Sequence, residues 1–155
     1  MRQVSLAEVP EMIGTELAAA GAKRPATDEE RANADVLQRM LHAIATGCFD
    51  ELRALLAPDV TFELAAPARF PWVRRAAGPD AVTEAVAHNF STVRDQMPHP
   101  LAMIVRDDTV MIMARETGRL AESGEAYEVL LAQQFTFRDG RLALFRSVST
   151  DHGPA

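Results

Sequence analysis

Cysteine is nearly missing from this chain: Cys48 is the only one in 155 residues. A lone thiol excludes an intramolecular disulfide and a cysteine-based zinc site, and it points to a reducing cytoplasm. Long hydrophobic runs are missing too. Nothing approaches the ~18 consecutive apolar residues of a membrane-spanning helix. Glu8 and Glu11 interrupt the N-terminal stretch where a secretory signal needs an unbroken apolar core. Basic runs are absent, and 16 Lys+Arg against 22 Asp+Glu leave a formal net charge of −6. That balance speaks against nucleic acid and anionic membrane as partners and leaves a small molecule or another protein. Internal repeats and low-complexity tracts are also lacking.

What is present suits one soluble domain, with 48% hydrophobic and 25% charged residues. Pro10 to Ala20 reads as a helix, with Ile13 and Leu17 on one face and Gly21 as its stop. A polar hinge follows. Thr27 and Glu30 then form a capping-box pattern ahead of an apolar stripe of Val36, Leu37, Met40, Leu41 and Ile44, which Gly47 ends. A second helix, FDELRALL, stops at Ala57-Pro58. Val60 to Leu64 alternates as a strand. After a loop holding the only tryptophan, Gly78-Pro79 opens a third helix with Val82, Val86, Phe90 and Val93 as its apolar face.

From Met97 on, the pattern turns to strands. LAMIVRDD, TVMIMARETGRL, EAYEVLLAQQFTFR and RLALFRSVST are separated by turn signals at Asp107-Asp108, Ser123-Gly124 and Asp139-Gly140. Their short connections require an antiparallel meander. The expected fold is α+β: a curved, mostly antiparallel sheet of about five strands, with three helices on its concave face. The expected organisation is an N-terminal helical extension (1–26), a main domain (27–151) and a short tail (152–155).

Three stretches, GCFDELRALLAPDVTFEL, FPWVRRAAGPDAV and QQFTFRDGRLALFRSVSTD, resemble the nuclear-transport-factor-2-like superfamily, in its SnoaL-like polyketide cyclase and ketosteroid-isomerase-like branches. The resemblance covers about three quarters of the chain. It implies a sheet rolled into a cone around a deep, largely apolar cavity, and often a homodimer through the outer sheet face. It does not settle the reaction, because members include isomerases, cyclases, hydrolases and non-catalytic domains. The positions that carry the steroid-isomerase groups fall here on Met40, Leu64 and Gln133. Those of epoxide hydrolases of this fold fall on Arg115, Thr117 and Ser147. Both sets lack their carboxylates.

Alternation supplies the remaining candidates. If Gln133 faces the cavity, so do Val129, Leu131, Phe135 and Phe137. If Arg115 does, Met111, Met113 and Thr117 follow; if Ser147 does, Phe145 and Ser149 follow. Arg115 would hold a carboxylate or enolate-like oxygen, or else pair structurally with Glu116, Glu63 or Glu128. Gln133 would orient a carbonyl, or be a satisfied amide. Ser147 would donate a hydrogen bond or relay water. Trp72 would rim the cavity mouth or anchor its loop. The proposed catalytic set is therefore Arg115, Gln133 and Ser147, and the general base is unassigned. The substrate-binding set is Met40, Leu64, Trp72, Met111, Met113, Thr117, Leu131, Phe135, Phe145 and Ser149. No metal or organic cofactor is expected. The leading expectation is a cytoplasmic isomerase- or cyclase-type enzyme for a hydrophobic, oxygenated small molecule. The alternative is a non-catalytic binding or dimerisation module. Leu142, Leu144, Arg146 and Val148 are the expected outward set of the last strand.

Overall fold

The structure, a computed structural model, describes residues 25–152. The helix expected over Pro10 to Ala20, and nearly all of the expected extension, lie outside the described residues.

The first described helix, α1 (Asp28–Thr46), begins with the expected capping box. Glu30 Oε2 accepts the Thr27 N–H at 2.9 Å, and Thr27 Oγ1 accepts the Glu30 N–H at 3.1 Å. The same carboxylate reaches across the molecule, its Oε1 accepting the Asp107 N–H at 3.1 Å. Asn33 donates to the Asp107 carbonyl at 3.3 Å. The cap thus also ties the helix start to a strand turn 77 positions away. Ala34, Leu37, Met40 and Ile44 fill the inner face, and Gly47 ends the helix in the left-handed conformation at φ 71°. Helix α2 (Phe49–Ala54) follows at once, and α3 (Pro79–Ser91) starts with its proline in the first turn. All three pack their apolar faces into one core with the sheet. No helix among the described residues is long and apolar enough to cross a membrane.

The sheet has six strands, β1 (Leu56–Ala65), β2 (Arg75–Ala77), β3 (Val93–Arg106), β4 (Thr109–Leu120), β5 (Ala126–Arg138) and β6 (Arg141–Asp151), in the order β2-β1-β6-β5-β4-β3. The β1–β6 pair is parallel and the others are antiparallel. The sixth strand is β2, three residues that pair with Thr61 to Glu63. Such a short run leaves no alternation to detect. Strand β3 starts earlier than expected, and Val93 is its first residue rather than the end of α3. It is an edge strand, which is why it tolerates Pro98 and Pro100. The two prolines are two residues apart, so their missing N–H groups fall on the same, unpaired side.

The core lies between the helices and the concave sheet face. Leu37, Met40, Val60, Val82, Val110, Phe135 and Leu142 are each 1% exposed or less. Each such side chain contributes roughly 1.5–3 kcal/mol by leaving water. Leu142 corrects the expected outward set. Register shifts between Thr136/Leu144 and Phe137/Leu142, so Ala143 is an extra residue in β6. Leu142 therefore pairs with inward Phe137, while Leu144, Arg146 and Val148 face out.

Candidate functional site

Between α3, the Pro67 to Val73 loop and the concave face of β1, β4, β5 and β6 lies a pocket. It has about 550 Å³ of free space counted out to its open mouth. Its walls are aromatic and aliphatic: Phe62, Leu64, Trp72, Phe90, Leu131 and Phe145. Phe145 packs between Phe135, stacked at 4.8 Å, and the edge of Phe62 at 5.2 Å. The polar members of the lining are Asn89, Gln96, Glu116, Gln133 and Ser147.

Two of the polar groups near the mouth are structural. Asn89 on α3 accepts the Val73 N–H at 2.7 Å and donates to the Val73 carbonyl at 3.1 Å, so its amide acts as a strand partner for the loop. Trp72 donates from Nε1 to Thr92 Oγ1 at 2.9 Å and stacks on buried Phe70 at 4.2 Å. Trp72 thus lines the pocket and ties its loop to the end of α3.

Glu116 is the group that sequence reasoning missed as a site residue. It sits in β4, 8% exposed, with its carboxyl inside the pocket wall. Tyr127 on β5 donates to Glu116 Oε1 at 2.8 Å, and Gln96 Nε2 on β3 donates to the same oxygen at 3.4 Å. Burial raises the Glu116 pKa above the ordinary carboxylate value, and the hydrogen bonds from Tyr127 and Gln96 offset only part of that rise. Burial also raises the Tyr127 pKa, as do the neighbouring carboxylate charge and hydrogen bond, so the phenol keeps its proton and acts as a donor. Tyr127 can cross to Glu116 because Gly118, its register partner, has no side chain. A Cβ there would stand 2.6 Å from the Tyr127 hydroxyl oxygen. Phe70 backs the same ring edge-on at 5.2 Å.

The structure divides the expected site residues. Gln133, Ser147, Leu64, Trp72, Leu131 and Phe145 line the pocket. Met40 and Phe135 are buried in the core beyond its lining, and Ser149 is buried with its hydroxyl 3.5 Å from the Ala65 carbonyl. Arg115, Met111, Met113 and Thr117 are on the other face of the sheet. The inward residues of β4 are Val110, Ile112, Ala114 and Glu116. Arg115 instead pairs with Glu128 at 3.4 Å, both partly solvent-exposed. The expected phase of β4 is thus reversed by one residue, which exchanges a guanidinium for a carboxyl. Apolar residues occupy both phases at 110–113, so hydrophobicity alone does not choose between them. The pairing of β4 with β5 does, because Val110 lies opposite inward Phe135.

A mixed, unclosed sheet rolled under three helices, with a pocket on its concave side, defines the nuclear-transport-factor-2-like cone class. Residues 37–145 match the SnoaL-like domain family, and the chain belongs to that family. Solved structures agree on the fold. A candidate SnoaL-like polyketide cyclase from Jannaschia sp. CCS1 superposes with a TM-score of 0.68 at 19% identity, over 80% of this chain and 89% of that one. A nuclear-transport-factor-2-like protein from Burkholderia xenovorans LB400 gives 0.67 at 18% identity, over 77% and 90%. A candidate isomerase from Bacillus subtilis gives 0.64 at 19% identity, over 80% and 90%. No curated protein matches the chain.

Proposed function

We propose that this chain is a cofactor-independent catalyst of proton transfer, of the isomerase or cyclase type, acting on a hydrophobic oxygenated small molecule of polyketide-, terpenoid- or steroid-like character. The observation that carries the reading is Glu116: a buried carboxyl on the wall of an apolar pocket, bonded by neutral donors on Oε1 alone. Proton transfer next to a carbonyl needs a base for carbon and a donor for oxygen. Glu116 Oε2 moves the proton. Tyr127 and Gln96 hold the carboxyl in place, the Gln96 amide beside it is the donor for the developing oxyanion, and Gln133 and Ser147 bind a second, remote oxygen of the substrate. The burial that raises the Glu116 pKa brings it toward the working pH, where an acid–base group is most effective.

The test uses nitrobenzisoxazole, an uncharged bicycle. When a base takes its C–H proton, its N–O bond breaks to give a coloured phenolate. The expected result is saturable ring opening by the wild type, with the rate rising with pH through a midpoint above the ordinary carboxyl value. Glu116→Gln abolishes that rise and Arg115→Ala leaves it within twofold. Binding without any acceleration by the wild type assigns the pocket to a non-catalytic binding module.

We also propose that the convex sheet face joins two copies. Ala102, Met113, Ala132, Val148 and Ala65 lie opposite one another on five adjacent strands, an exposed apolar row across the sheet. Sedimentation at micromolar concentration is expected to show a dimer that Met113→Arg dissociates. A monomeric wild type overturns this.

A further inference from the structure

The lining of the pocket specifies its ligand more narrowly than "apolar". Among the described residues no Lys, Arg or His lines it, and Arg115 is on the opposite sheet face. An anionic group entering here would shed water into aromatic walls and meet a carboxyl, with no cation to offset the loss. The available polar groups are also separated. Asn89 is committed to Val73 and Trp72 to Thr92. Among the described residues, every side-chain nitrogen or oxygen shut off from solvent has a partner. Glu116 Oε2 and the Ser147 hydroxyl receive no protein hydrogen bond among the described residues, so both open into the pocket.

These groups stand at two ends. Gln133 and Ser147 are register partners on β5 and β6. Glu116 lies opposite Val129, four residues from Gln133 along β5. At ~3.3 Å per residue the two ends are about 13 Å apart at the backbone, with Leu131 between them.

We infer that the pocket takes an uncharged, ring-bearing molecule with an oxygen function at each end, one seated at Glu116 and Gln96 and the other at Gln133 and Ser147. The aromatic walls hold the rings, and Leu131 faces the middle. The inference rests on the same pocket as the proposed function, but not on catalysis.

The experiment is titration calorimetry at neutral pH with four naphthalene probes. They carry a hydroxyl at one end, hydroxyls at both ends, a carboxylate, or an aminomethyl group. The diol is expected to bind at least fivefold tighter than the single hydroxyl, and the carboxylate at least tenfold weaker than the single hydroxyl. Gln133→Leu and Ser147→Ala should each remove most of the diol's advantage over the single hydroxyl. Carboxylate binding equal to the alcohol overturns the inference, as does an aminomethyl probe that binds best, a diol with no advantage, or no binding by any probe at millimolar concentration. The expected pattern without ring opening of nitrobenzisoxazole would refute the catalytic reading and leave the ligand class standing.

Discussion

Adding one methyl group at Gly118 tests the geometry of the site most directly. In Gly118→Ala the new Cβ would lie 2.6 Å from Tyr127 Oη, 2.7 Å from Cζ and 2.8 Å from Cε1. All three distances are shorter than carbon tolerates, so something must move. The Tyr127 ring cannot simply withdraw, because it is 4% exposed and Phe70 packs edge-on behind it at 5.2 Å. Displacing it by several tenths of an ångström costs roughly 1–3 kcal/mol in overpacking. The same shift stretches the 2.8 Å bond to Glu116, and weakening a bond to a buried carboxyl adds roughly 1–3 kcal/mol. Replacing glycine within a strand returns roughly 0.5–1 kcal/mol. The net loss is about 3 kcal/mol, or roughly 6–12 °C in Tm for a chain of this length. Urea melts read the free energy, with the slope expected to stay at the wild-type value. The pH profile of nitrobenzisoxazole opening reads the carboxyl. With its donor displaced, Glu116 keeps its proton to higher pH and the midpoint moves up. Tyr127→Phe should shift the midpoint in the same direction at a smaller cost, about 1–2 kcal/mol, because it removes the hydroxyl without crowding the ring. A Gly118→Ala protein within about 0.5 kcal/mol of wild type, with an unmoved midpoint, would refute the reasoning.

Two other outcomes follow from burial. The raised Glu116 pKa means that the folded chain binds more proton than the unfolded chain between the unfolded and folded pKa values. The Glu116 contribution to stability is therefore complete below the unfolded pKa and is lost as pH rises through the folded one, by about 1.4 kcal/mol for each unit of displacement. Glu116→Gln should flatten that part of the stability–pH curve, and a wild-type slope surviving in the variant contradicts it. In β6, Leu142→Ala should cost about 2–5 kcal/mol in urea unfolding and Leu144→Ala much less. Equal losses would show that the bulge at Ala143 has been misplaced.

The legibility of the fold varied by element for physical reasons. Strand β5 was readable because Val129, Leu131, Phe135 and Phe137 share one phase while Glu128, Gln134 and Thr136 occupy the other. Helix α1 was readable from Thr27 and Glu30. The phase of β4 was not, since Val110 and Ile112 alternate with equally apolar Met111 and Met113. The reversal there hid the Glu116 site. Tyr127 and Gln96 lie 11 and 20 residues from Glu116, and only strand pairing brings the three together. One clue was partial: Tyr127 keeps the inward phase of Val129 and Leu131, but a turn centred on Ser123-Gly124 would set Leu120 opposite it, whereas the hairpin is centred between Glu122 and Ser123 and sets Gly118 there. Such a pair marks a ring lying across a bare backbone. Nothing comparable announces the single-residue bulge in β6, because Leu142 and Leu144 are chemically identical.

The prolines of β3 have a consequence for the life of the protein in a crowded cell. A long, flat border strand with free amides is a template on which another chain can add itself, rung by rung, toward a fibre. Pro98 and Pro100 delete two of those amides from one border, and the other border, β2, is only three residues long. Both margins are thereby made poor templates for ribbon-like growth.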